Sequence, residues 1–144
     1  DRFESRGLGD VYKRQVDVVC ISSLEARAYL ADDDCVLALL DARKSRVYAQ
    51  SFNTRTGEAL TAAVDAELAS VLPAAPFVAV GEGVKVDTAL LEEAGGVVAS
   101  EPDRSPASVV ARLGSERRPT AIAPHDVALS YLRDADALKL ADRR

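Results

Sequence analysis

Histidine occurs once in the 144 residues, as His125, and that scarcity removes most metal and triad chemistry from consideration. A zinc hydrolase, or a site that holds iron through paired histidines, needs at least two. Cysteine occurs twice, as Cys20 and Cys35. Two thiols build neither a secreted disulfide framework nor a four-ligand zinc site, and both lie in apolar runs, so both are expected as buried free thiols. No window approaches the ~18 consecutive apolar residues of a membrane span, and the start lacks the basic-then-apolar order of a secretion signal, which implies a soluble protein of the cytoplasm. Basic charge is in deficit. The 18 Lys and Arg stand against 23 Asp and Glu, for a net charge of −5. Nucleic-acid affinity rests largely on phosphate neutralisation by Lys and Arg, so a role on RNA calls for a partner. No serine sits in a G-x-S-x-G context, so nucleophilic catalysis has no visible engine.

What is present fits one globular domain, with 48% hydrophobic and 28% charged residues. The first fifteen residues, "DRFESRGLGDVYKRQ", stand apart: they contain no alanine and show neither strand nor helix periodicity. They resemble a translated adapter sequence and are expected to be an artefactual or disordered tail, with the natural chain starting earlier.

The pattern from Val16 onwards predicts a strand over "VDVVCIS" and then a helix over "SSLEARAYLADDD", opened by Ser22 and Glu25 at capping-box spacing. "CVLALLD" is almost continuously apolar, as in a strand covered on both faces, and "RVYAQSFN" is its hairpin partner. "GEALTA" reads as a third strand. "AAVDAELASVLP" places Val64, Leu68, Val71 and Leu72 on one helical stripe ending at Pro73. "FVAVGEG" is a strand ending in glycines, "DTALLEEAGG" a helix stopped at Gly95 and "VVAS" a strand. "SPASVVARLG" is a helix with Ser105 as cap, Pro106 at the first position and Gly114 as stop.

Three antiparallel strands followed by alternating helices and strands is the ribonuclease-H-like order, the repeating lobe of the actin, sugar-kinase and Hsp70 superfamily. A flavodoxin-type sheet would want a helix between Asp41 and Val47, where there is room only for a turn. In active members of that superfamily the first hairpin of a lobe cradles phosphate with an acidic residue and close-packed glycines, because a phosphate must reach backbone N–H groups without meeting a Cβ. Here the turn runs Asp41-Ala42-Arg43-Lys44-Ser45-Arg46 without glycine, so close approach is not expected. Asp41 is then the remnant of a nucleotide site, while Arg43, Lys44 and Arg46 either meet an anion or partner by charge or form a solvated tip. Gly81 and Gly83 in "VGEG" either contact a nucleotide or serve an ordinary strand-to-helix turn. Asp32 to Asp34 read as a solvated turn rather than a cation site. No cofactor and no metal is expected.

"VVCISSLEARA", "VLALLDARKSRVYAQSF", "FVAVGEG" and "YLRDADA", in this order and at these separations, resemble the bacterial TsaB family of tRNA threonylcarbamoyladenosine biosynthesis, formerly grouped with glycoprotease-like M22 peptidases. The resemblance spans about Val16 to Ala137 and is most specific at Ser23-Leu24-Glu25, at Asp41-Ala42-Arg43 running into Val47-Tyr48, and at Tyr131-Leu132-Arg133. It departs at the hairpin, where family members usually carry glycine and glutamate and this chain has Ser45 and Arg46. The family's N-terminal lobe, with its G-P-G-S-F-T-G-x-R segment, has no counterpart. The resemblance therefore divides the chain into a tail (1–15), a connecting strand and helix from a missing N-terminal lobe (16–34), and a ribonuclease-H-like C-terminal lobe (35–144). It implies a non-catalytic subunit that pairs with a TsaD-type catalytic paralogue and a TsaE-type ATPase, reaching tRNA only through the complex. Without that lobe, weak pairing or a homodimer is expected. The alternatives are a glycoprotease-like or ATP-binding enzyme lobe, against which the glycine-free hairpin and single histidine count, and a nuclease-like domain, for which Asp41 is the only acid suitably placed at a core strand end.

Overall fold

The computed structural model describes residues 16–74 and 76–132. Its centre is strand β1, Val36–Asp41, whose side chains alternate between two cores. Leu37 and Leu39 point to one face of the sheet, with Val47, Phe77, Val84 and Leu91. Val36 and Ala38 point to the other, with Leu24, Ala28, Phe52 and Val80. A strand covered on both sides has no polar face to offer water, which is why the sequence there is nearly unbroken Val, Leu and Ala.

Strand β2, Arg46–Asn53, pairs with β1 antiparallel, from Val36 opposite Phe52 to Asp41 opposite Val47. Beyond β2 the third position of the sheet is filled in two pieces. Strand β3, Glu58–Ala59, pairs with Phe52 and Asn53, and strand β4, Val64–Glu67, pairs with Arg46 to Ala49. Between them the chain stays attached to Ser51, whose carbonyl accepts from Leu60 N and whose amide donates to Thr61 Oγ1 at 2.9 Å. On the far side of β1, strand β5 (Phe77–Val80) and strand β6 (Gly96–Val98) run parallel to it. The path β3-β2-β1-β5-β6, antiparallel then parallel, is the ribonuclease-H-like order.

Helix α1, Ser23–Ala28, covers the Val36 face, and helix α2, Thr88–Glu93, covers the Leu37 face through Leu91. Helix α3, Ala107–Glu116, buries Val109 and Leu113 and lies beside α1. The Asp87 carboxylate caps α2 by accepting from Leu90 N at 3.0 Å, and Gly95 (φ 87°) takes the left-handed conformation that closes it. No helix among the described residues is long and apolar enough to cross a membrane.

Several local expectations are corrected. Residues 64–67 are strand, not helix, and only the 3-10 turn Leu68–Ser70 follows. Without β4, the Arg46 to Ala49 half of β2 would present an open edge, and pairing there outweighs a helical stripe of which only Leu68 becomes fully buried. Residues 16–22 form no sheet strand; Val18 exchanges two backbone hydrogen bonds with Ile122 instead. Helix α1 ends at Ala28, because the backbone after it is captured by Thr54, whose Oγ1 donates to Ala31 O and accepts from Asp33 N. Ser22 caps α1 through Glu25 N at 3.4 Å, but the Glu25 carboxylate turns away to the Arg117 guanidinium instead of closing a capping box. Helix α3 runs through Gly114 to Glu116, since Gly114 has no positive φ and Arg117 N continues the ladder to Leu113 O. Ser105 Oγ does accept from Ala107 N, with Pro106 just before the helix. Cys35 is buried as expected, whereas Cys20 is exposed.

Truncating Leu37 to Ala should cost about 2–5 kcal/mol in urea unfolding, because its side chain is wholly enclosed and leaves a cavity. The two thiols should also separate chemically. Burial first, and the Asp33 charge second, push the Cys35 thiol pKa up, so its thiolate is scarcer at any given pH. Alkylation at neutral pH, followed by mass spectrometry, should modify Cys20 fast and Cys35 only slowly.

Candidate functional site

The carboxyl ends of parallel strands are where open α/β sheets place ligands, and here that region holds every residue singled out for a nucleotide. Strand β1 ends at Asp41, and the hairpin to β2 follows at once. Arg43, Lys44 and Ser45 all have left-handed backbones, with φ of 64°, 54° and 60°. Lys44 and Ser45 are the central residues of a turn closed by Arg46 N donating to Arg43 O at 3.0 Å. Two successive positive φ values are the mark of the type I′ turn that suits the twist of a tight hairpin, a turn that normally recruits Asn and Gly. This chain builds it from Lys and Ser, at a conformational cost of roughly 1–2 kcal/mol per residue.

The amides of Ala42, Arg43 and Arg46 are used internally. Asp41 Oδ1 accepts from Arg43 N at 2.7 Å, Ala42 N donates to Arg46 O at 3.0 Å, and Arg46 N is the turn donor just described. Ala42 is 3% exposed, so its methyl also fills the base of the hairpin. Asp41 thus acts as a turn former. Arg43 is largely in solvent, with a loose 3.9 Å pairing to Asp41 Oδ2. Lys44 sits exposed beside it. Arg46, grouped with them by sequence as an anion contact, is taken by β4: its Nε donates to Asp65 Oδ1 at 2.9 Å and its Nη2 to Asp65 O at 3.0 Å.

Gly81 and Gly83 lie at the same end of the sheet, but their missing side chains make room for protein. A Cβ on Gly81 would stand 2.1 Å from Leu39 O, and one on Gly83 2.8 Å from Leu39 C and 2.9 Å from Leu40 C. The 3-10 turn Glu82–Val86 therefore lies directly on the backbone of β1, one residue short of Asp41. Gly81 also needs its φ of 97°, and its amide donates to Pro102 O at 2.6 Å. Across the outside, Lys85 Nζ donates to Asp103 Oδ2 at 2.9 Å; that hydrogen bond is the main reason the Asp103 carboxyl is held below its usual range. The six residues are gathered at one end of the sheet, where the two glycines pack against the main chain of β1.

Elsewhere the acidic run is tied to the β2–β3 turn, where Arg55 pairs with Asp32 at 3.5 Å and Asp34 at 3.3 Å, while Asp33 Oδ1 accepts from Cys35 N. His125 is exposed, with Asp126 at 3.6 Å. Among the described residues no three His, Cys, Asp or Glu side chains are grouped so as to hold a metal ion.

A second place was not singled out by sequence. An open apolar groove of about 630 Å³ runs between residues 18–24 and 127–132, floored by Leu40, Tyr48 and Ala63. The strand pattern of the first wall and the Tyr131-Leu132 pair of the second were visible signals, but nothing in the residue order says that the two walls meet. Arg133 and the rest of "YLRDADA" lie outside the described residues, as does the tail at 1–15.

No family model and no curated protein matches the chain. Solved structures do. One, described as an uncharacterized protein with similarity to peptidase YEAZ from Pseudomonas aeruginosa, is 20% identical with a TM-score of 0.59, over 90% of this chain and 66% of that one. Another, YeaZ from Pseudomonas aeruginosa, is 19% identical with a TM-score of 0.58, over 86% of this chain and 62% of that one. The likeness is one of fold, actin-like and ribonuclease-H-like, and the chain spans somewhat less than two thirds of each neighbour's length.

Replacing Ser45 with Gly should stabilise the protein by about 1 kcal/mol in denaturant unfolding, because it relieves one left-handed residue. Replacing Gly81 with Ala should destabilise it by about 1–3 kcal/mol or more, since the new methyl meets the Leu39 carbonyl.

Proposed function

We propose that this chain is a TsaB-type, non-catalytic subunit supporting threonylcarbamoyl transfer to the adenosine beside the tRNA anticodon. The reading rests on the fold shared with YeaZ, a TsaB protein, and on the ordered residue resemblance from about Val16 to Ala137. The observation that carries the non-catalytic half lies at the end of β1. The hairpin amides of Ala42, Arg43 and Arg46 are spent within the turn, and Gly81 and Gly83 are packed on Leu39, so these groups are not offered to a triphosphate. Its partners in this reading are a TsaD-type catalytic paralogue and a TsaE-type ATPase, in the cytoplasm. Contact with tRNA comes through the assembly, as the net charge of −5 favours.

The second reading, a glycoprotease-like or ATP-binding enzyme lobe, draws on the word peptidase in one neighbour's description. It would require a nucleophile with its base, or a phosphate cradle, and the groups gathered at Asp41 supply neither.

Reconstitution separates the two. Threonylcarbamoyladenosine in tRNA, measured by mass spectrometry, should rise when the chain is added to the paralogue and ATPase and should be absent with the chain alone. Calorimetry of the chain alone with millimolar ATP should give no binding heat. Clear heat, or ATP turnover by the isolated chain, would transfer the case to the enzyme reading.

A further inference from the structure

We draw no further inference here: the strongest candidate, the open apolar groove between residues 18–24 and 127–132 over Leu40, Tyr48 and Ala63, carries nothing, because nothing among the described residues shows what covers it.

Discussion

The contact on which the structure most depends is main chain against main chain: the turn at Gly81 to Gly83 resting on the carbonyl of Leu39. Close approach of this kind is available only without a Cβ on either glycine. It holds Val84 down into the core that contains Leu37 and Leu39, so the parallel half of the sheet is anchored to β1 through more than ladder hydrogen bonds. It also lies at the end of the sheet where this topology offers a ligand crevice. Two glycines at the end of a strand are compatible with a phosphate cradle and with a backbone crossing. What decides between them is the identity of the atom a Cβ would strike, and here that atom is protein.

A second constraint joins the beginning and end of the described chain. Val18 pairs with Ile122, Glu25 with Arg117, and the Arg112 guanidinium lies 5.8 Å from the centre of the Tyr29 ring. These contacts clasp α1 to α3 over more than eighty residues of sequence. The Glu25–Arg117 pair is about a quarter exposed, and the charge-assisted hydrogen bond that the guanidinium donates to Glu25 is the leading reason the Arg117 pKa is raised. Packing does the rest, with Val109 and Leu113 turned inward. The groove lies beside this clasp, since Val18 also belongs to one of its walls.

Much of this was legible in the residues. Strand β1 announced itself by an unbroken apolar run, its hairpin partner by the short turn between them, and helix α2 by the Gly95 that stops it. These are local signals, and tertiary contacts reinforced them. The misreadings share a cause in contacts distant in sequence. Residues 64–67 carried a plausible helical stripe, but an open β2 edge nearly twenty residues earlier took them as a strand. The Glu25 spacing promised a capping box, but Arg117 claimed the carboxylate. Arg46 looked like one of three tip cations, and only the position of β4 reveals Asp65 beside it. The absence of glycine in the hairpin is plain in the residues, yet the left-handed backbone at Arg43 to Ser45 is not, because those residues give no sign of it.

That left-handed turn raises the question of how the hairpin persists. Its strain is offset at the base. Val47 is fully buried opposite Asp41, Ala42 is 3% exposed, and the six-pair register with β1 leaves the loop no freedom to lengthen. Arg46 adds its bond to Asp65, which ties the first residue of β2 to the next strand. With both ends fixed, three intervening residues must turn left-handed whatever their side chains prefer. The Asp41 carboxylate then settles on the Arg43 amide because that amide is brought within 2.7 Å of it. The acid at the end of β1 thus helps to shape the hairpin that follows it. Ser45 occupies a position where a glycine would meet no strain, so the present residue is tolerated by the hairpin's base rather than chosen by its turn.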